Sequence, residues 1–253
     1  MTSYNEAVAY LADGDITHAI GCFRKVGNYK DAKEQSAALI KSISASISAA
    51  AYGQAIGIEK NGAAVAAGSN YYGQCNVSRW ADMIAVSTSP DHALGLKANG
   101  TVVAAGKNDR GQCNVSSWSD IVAISAGGSF SIGLKSNGRV VAVGYNNDGR
   151  CDVANWSDIV AISAGGIHSI GLRADGTVVT SVRNMDGTRF EGQAELKNAS
   201  NWANIVAVSA AEGYTLGLKT DGTVVVAGEC ARGDYGDVSG WTNIGRANTR
   251  LPQ

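Results

Sequence analysis

The sequence predicts a mainly β fold: a β-propeller of about five four-stranded blades, preceded by a short α-helical hairpin or three-helix segment. Three observations predict it: evenly spaced tryptophans, a turn-forming pair in each interval, and short strand-like runs on either side of that pair. All five tryptophans take part, with Trp80 to Trp118 and Trp118 to Trp156 each 38 residues apart, Trp156 to Trp202 46 and Trp202 to Trp241 39. Units of about forty residues that cannot cover their own apolar faces must stack against neighbours, and four short strands per unit make propeller blades.

The turn pairs are Asn61-Gly62, Asn99-Gly100, Asn137-Gly138, Asp175-Gly176 and Asp221-Gly222. Each predicts a tight two-residue type I′ hairpin, because Asn, Asp and Gly tolerate the positive φ that such a turn needs. The unit starting at Asp120 reads as strand A over Ile121 to Ser125, a Gly127-Gly128 turn, and strand B to Lys135. Strand C follows the Asn137-Gly138 turn, then a loop from Gly144 to Gly149 and a short strand D around Cys151 to Val153. The fourth unit carries an insertion, Arg189 to Leu196, which accounts for its longer interval. A first copy of strand A near Ile47 and a last near Ile244 would let one terminal strand complete a blade begun at the other end.

Residues 1–43 read as helical and residues 44–253 as the propeller. Ser3 with Glu6 forms a capping box, Gly14 is a stop, Asp15 caps a second helix to Val26, and a third runs from about Tyr29 to Ile43. With 45% hydrophobic and 17% charged residues in 253, the chain has the composition of a folded domain. A net charge of −1 offers no basic excess for a phosphate backbone, which argues against nucleic acid as a partner. No run of eighteen apolar residues and no secretory leader is present, so neither membrane nor export is expected. Five cysteines without a Cys-x-x-Cys pair fit free thiols in a reducing, cytoplasmic setting.

The segment Asp158-Ile-Val-Ala-Ile-Ser-Ala-Gly-Gly-Ile-His168, with Gly-Leu-Arg-Ala-Asp-Gly-Thr-Val-Val179 after it, resembles the bacterial version of the regulator-of-chromosome-condensation repeat. The resemblance recurs five times over roughly 44 to 253. It implies a propeller; among its members are a nuclear guanine-nucleotide exchange factor, a propeller-type β-lactamase inhibitor and many bacterial scaffolds. Familiar members have seven blades. We expect five here to close a smaller ring, the alternative being an incomplete arc completed by self-association. The run from Gly14 to Phe23 and then Gly27 to Ala32 is similar to one degenerate tetratricopeptide-type hairpin.

No catalytic, metal or cofactor site is expected. His92 and His168 fall at one repeat position shared with Gln54, Phe130 and Tyr214, a mixture that suits packing or contact rather than ligation or base catalysis. Cys75, Cys113 and Cys151 share another position and read as small buried groups on strand D. The tryptophans read as wedges between successive sheets. In an A-B-C-D meander the A-B and C-D turns emerge on one face, and these vary from unit to unit. They carry Tyr52, Tyr71, Tyr72, Lys107, Arg110, Phe130, Tyr145, Arg183, Met185, Tyr214 and Arg232, residue types favoured at interfaces. The expected function is therefore a non-enzymatic scaffold whose variable face binds a protein partner. An enzyme inhibitor or a small-GTPase exchange factor is the alternative.

Overall fold

The computed structural model describes residues 46–51, 53–181, 196–228 and 238–244, together with 6, 7, 9, 19, 20, 22 and 23. Five sheets follow one another along the chain, each of three antiparallel strands in sequence order. They are β1 (Ile47–Ala50), β2 (Gln54–Ile58) and β3 (Ala64–Ala67); β4 (Met83–Thr88), β5 (His92–Lys97) and β6 (Val102–Gly106); and β7 (Ile121–Ala126), β8 (Phe130–Lys135) and β9 (Val140–Gly144). The last two are β10 (Ile159–Ala164), β11 (Ser169–Arg173) and β12 (Val178–Ser181), and β13 (Ile205–Ala210), β14 (Tyr214–Lys219) and β15 (Val224–Gly228). The innermost strands β1, β4, β7, β10 and β13 each pack on the next, which is the radial arrangement of propeller blades.

Among the described residues the sheets have three strands where four were expected, and in the first three units the reason lies in one asparagine each; the segments after β12 and β15 lie mostly outside the described residues. The amides of Cys75, Cys113 and Cys151 each donate to the side-chain oxygen of Asn70, Asn108 and Asn146, all at 2.8 Å. The same asparagines donate across the turn to Asn76, Asn114 and Asp152. Asn76 N–H then bonds Gly73 C=O, and Trp80 N–H bonds Val77 C=O. Amides satisfied within a chain of turns are not available to a ladder, so no strand D forms beside β3, β6 or β9.

The hairpins lie where expected but are built differently. Glycine has positive φ in each, whereas Asn61, Asn99, Asn137, Asp175 and Asp221 do not. Gly62 N–H closes onto Glu59 C=O while Glu59 N–H reaches Ala63 C=O, the pattern of a three-residue loop with a glycine bulge rather than a type I′ pair. The preceding Asn or Asp instead accepts from the amide two residues on, as in Ala63 N–H to Asn61 Oδ1 at 2.8 Å.

Each junction between sheets repeats the same contacts. Gly62 C=O accepts from Met83 N–H, so one sheet's hairpin fixes the start of the next; Gly100 with Ile121, Gly138 with Ile159 and Gly176 with Ile205 repeat this. Trp80, Trp118, Trp156 and Trp202 stand on Gly95, Gly133, Gly171 and Gly217 of the following middle strand, where a Cβ would come within 2.7–2.9 Å of the ring. Trp80 shares its cluster with Ile56 and Ala64 on one side and Met83 and Ala93 on the other, so it fills the wedge.

At the axis, Gly127 N–H pairs with Phe130 C=O, so by alternation the amide of Ala126 turns away from β8. It donates to Ser87 Oγ of the preceding sheet at 2.9 Å. Thr88 to Ser48, Ala164 to Ser125 and Ala210 to Ser163 repeat the bond, so every described junction carries one.

Ring closure within the chain is not found among the described residues. No packing of comparable extent joins β1–β3 to β13–β15. Ile47 on β1 is 75% exposed, and Trp241 is 48% exposed against 5–8% for Trp80, Trp118 and Trp156. The described sheets form an arc. Of the helical segment expected over 1–43, Glu6, Ala7, Ala9, Ala19, Ile20, Cys22 and Phe23 have helical backbone, and the rest lies outside the described residues. Ile20 is buried in the cluster that also holds Phe130, Trp156 and Val160. The 189–196 insertion is described only at the buried Leu196, after which a short 3-10 helix, Lys197–Asn201, packs on β12 and β15.

Candidate functional site

The turn after each third strand folds back onto the turn between the first two. Lys107 N–H bonds Asp91 C=O and Tyr145 N–H bonds Ser129 C=O, which brings the variable loops of a sheet together on one face. Across three successive sheets these loops build a row of two contacting groups. Tyr71 meets Tyr72 edge to face at 4.8 Å between centroids. Lys107 Nζ lies 4.9 Å from the Tyr72 ring, and Arg110 lies 5.3 Å from the Tyr145 ring of the next sheet. Lys107 is also held between Asp91 at 3.7 Å and Asp109 at 3.5 Å.

The far end of the row is anchored from beneath by a residue that the sequence reading did not single out. Arg150 is buried and ion-paired with Asp148. Its guanidinium donates to Gly166 C=O of the next sheet at 2.7 Å and lies 4.8 Å from the Tyr145 ring and 5.6 Å from Phe130. Arg150 replaces the buried glutamines of the preceding units. Gln74 accepts from Tyr72 N–H and donates to Pro90 C=O, and Gln112 accepts from Arg110 N–H. The Gln-to-Arg change at a repeated position, with an aspartate two residues before it, was the available signal.

Among the expected contact residues, Tyr71, Tyr72, Lys107, Arg110 and Tyr145 are thus brought together. Tyr71 is the most exposed, at 86%. Phe130 is a correction: it starts β8 with no exposed surface, because its ring lies over Gly127, in the space a side chain there would take, while Gly144 backs its Cα and Cβ. Tyr214 is half-buried at the start of β14. Tyr52, Arg183, Met185 and Arg232 lie outside the described residues.

The histidine position is interior. His92 has no exposed surface; its Nδ1 lies 2.7 Å from Ser89 Oγ and its Nε2 2.9 Å from Ser131 Oγ. Ser131 gives its proton to Gln112 C=O at 2.8 Å, so it accepts from His92 Nε2–H, and Nδ1 is left to accept from Ser89. Burial lowers the pKa of this imidazole to about 4, and so keeps it neutral. His168, equally buried, has no hydrogen-bond partner at either ring nitrogen among the described residues. Its pKa is also lowered to about 4, by burial first and by nearby Arg150 second.

Cys75, Cys113 and Cys151 lie in turns, each with Sγ directed at a carbonyl: Ser69 at 3.2 Å, Lys107 at 3.2 Å and Tyr145 at 3.5 Å. Among the described residues no three His, Cys, Asp or Glu side chains converge as a metal site would require. No described helix is long and apolar enough to cross a membrane.

Residues 83–112 and 121–150 match the regulator of chromosome condensation (RCC1) repeat. These two repeats are RCC1-like. Solved structures agree at the level of the fold. Prp20p of Saccharomyces cerevisiae, described with its binding to Gsp1p and histones, is 16% identical with a TM-score of 0.56, over 76% of this chain and 60% of that one. Human WBSCR16 is 16% identical with a TM-score of 0.56, over 73% and 61%. The ectodomain of the Physcomitrella patens receptor kinase CR4 is 21% identical with a TM-score of 0.53, over 71% and 50%. The chain spans between half and about three fifths of these structures. No curated protein matches it.

Proposed function

We propose that the chain is a non-enzymatic protein-binding scaffold that engages its partner through the face bearing Tyr71, Tyr72, Lys107, Arg110 and Tyr145. The observation that carries this is a row of aromatic rings and cations, exposed at Tyr71, Tyr72 and Arg110 and half-buried at Lys107 and Tyr145, held by turns of three successive sheets and backed by the buried Arg150–Asp148 pair. Tyrosine and arginine on a preorganised surface give large contact area at little ordering cost. The neighbours' names point the same way: Prp20p is described with Gsp1p, with histones and with Kap60. In this reading the helical segment, similar to a tetratricopeptide hairpin, tethers or regulates the propeller. The unpaired thiols at Cys75, Cys113 and Cys151 accord with a reducing, cytoplasmic compartment.

The test replaces Tyr71, Tyr72 and Tyr145 together with alanine and measures capture of the partner identified with the intact chain. Capture should be abolished with the melting temperature unchanged; retained capture refutes the assignment. Exchange activity on a small GTPase is the competing reading, favoured by the Gsp1p named with Prp20p. Accelerated release of a labelled guanine nucleotide would establish it.

A further inference from the structure

We propose that the two ends of the arc are complementary halves of the repeated sheet junction, and that a second copy of the chain supplies the missing half, head to tail. This surface is separate from the face assigned to the partner.

At the trailing end, Trp241 follows β15 as the other tryptophans follow their sheets, and Ile244 N–H already bonds Gly222 C=O as Met83 bonds Gly62. Yet the ring is 48% exposed, because no described sheet presents a glycine to it. Ser209 occupies the place of Ser48, Ser87, Ser125 and Ser163, but its hydroxyl receives no amide from a following sheet among the described residues.

The leading end lacks the reciprocal groups. Gly57 sits mid-strand in β2, as Gly95, Gly133, Gly171 and Gly217 sit in their strands. Around it, among the described residues, only Val65 Cγ2 at 3.7 Å and Ile47 Cγ2 at 3.8 Å approach, and no tryptophan covers it. Ala49 pairs with Ala55 as Ala126 pairs with Ser131, so its amide points away from β2, with no serine opposite it among the described residues. Ile47 and Val65, both next to Gly57, are 75% and 47% exposed.

One end therefore offers an indole and a hydroxyl acceptor, the other a bare glycine slot and an amide donor. The same chemistry joins sheets at each of the four described junctions. Because the two surfaces differ, the contact is heterologous and propagates into a closed ring or a filament.

The experiment is sedimentation velocity on the full chain across a wide concentration range, with variants that block one end each. In Gly57→Ala the added methyl meets only ordinary contacts in a single chain, but it occupies the place an indole needs. Trp241→Ala removes the indole. The wild type should gain mass with concentration, while each variant alone stays at single-chain mass with an unchanged melting temperature. An equimolar mixture of the two should form a one-to-one complex, since one keeps Trp241 and the other keeps Gly57. A wild type that stays at single-chain mass, variants that associate as it does, or a mixture that forms no complex would each overturn the proposal.

Discussion

His92 and His168 occupy one repeat position with opposite energetic consequences. The ring nitrogens of His92 are both satisfied, whereas those of His168 are buried without a partner among the described residues, a situation that costs about 1–3 kcal/mol per group. Phenylalanine is already accommodated at the equivalent Phe130. His168→Phe should therefore raise the melting temperature, and His92→Phe should lower it by the loss of about 1 kcal/mol; calorimetry decides both. The pair also sets a pH dependence. Unfolded, each imidazole binds a proton below about 6.5, while the folded chain resists until about 4. Their contribution is thus complete above the unfolded value and is lost as pH falls through this window. The double Phe variant should show a flatter fall in melting temperature between those limits.

The cysteines form a graded series at the same scale. Burial raises all three thiols, Cys113 to about 11 and Cys151 to about 12, while Cys75 is the least enclosed. Alkylation by iodoacetamide at neutral pH should label Cys75 first and Cys151 last, followed by peptide mass spectrometry. Equal rates would contradict the thiol-to-carbonyl geometry.

At the level of the element, the middle strands depend on a missing side chain. Gly133→Ala would set a methyl 2.8 Å from the Trp118 ring and should destabilise by about 1–3 kcal/mol in urea unfolding, as overpacking does. Gly57→Ala, with no ring to displace, should cost far less, and the contrast tests the tryptophan–glycine contact itself. The three ladder strands of each unit were legible because alternating Val, Ile, Leu and Ala flank a turn pair. The fourth was misjudged because Cys151-Asp152-Val153 has strand-like composition but follows Asn146, whose side chain captures the Cys151 amide. Composition records what a segment can become. It does not record which acceptor reaches its amides first.

Across the whole molecule, repetition made the propeller architecture readable, since evenly spaced tryptophans imply repeated environments, and four of the five stand on the glycine of a following sheet. Closure was not readable in the same way: it depends on the angle between neighbouring sheets, a sum of small packing offsets that no single residue encodes. The variable face was legible in part. Tyr71, Tyr72, Lys107, Arg110 and Tyr145 converge because turn order fixes which loops share a face, while Phe130 was misplaced because a strand's first residue can point inward. Arg150 and Asp148 escaped notice because their role depends on the next sheet's Gly166 carbonyl.

The serine hydroxyls at the axis all accept from the sheet that follows, never from the one before. The arc therefore has a direction, like a row of links with one kind of clasp at the front and its mate behind. A duplication in the coding sequence that starts and stops at equivalent points of two repeats would add a link with every clasp intact. Length is thus readily altered in such a chain, whereas reversing a single link is not possible without rebuilding both of its fastenings.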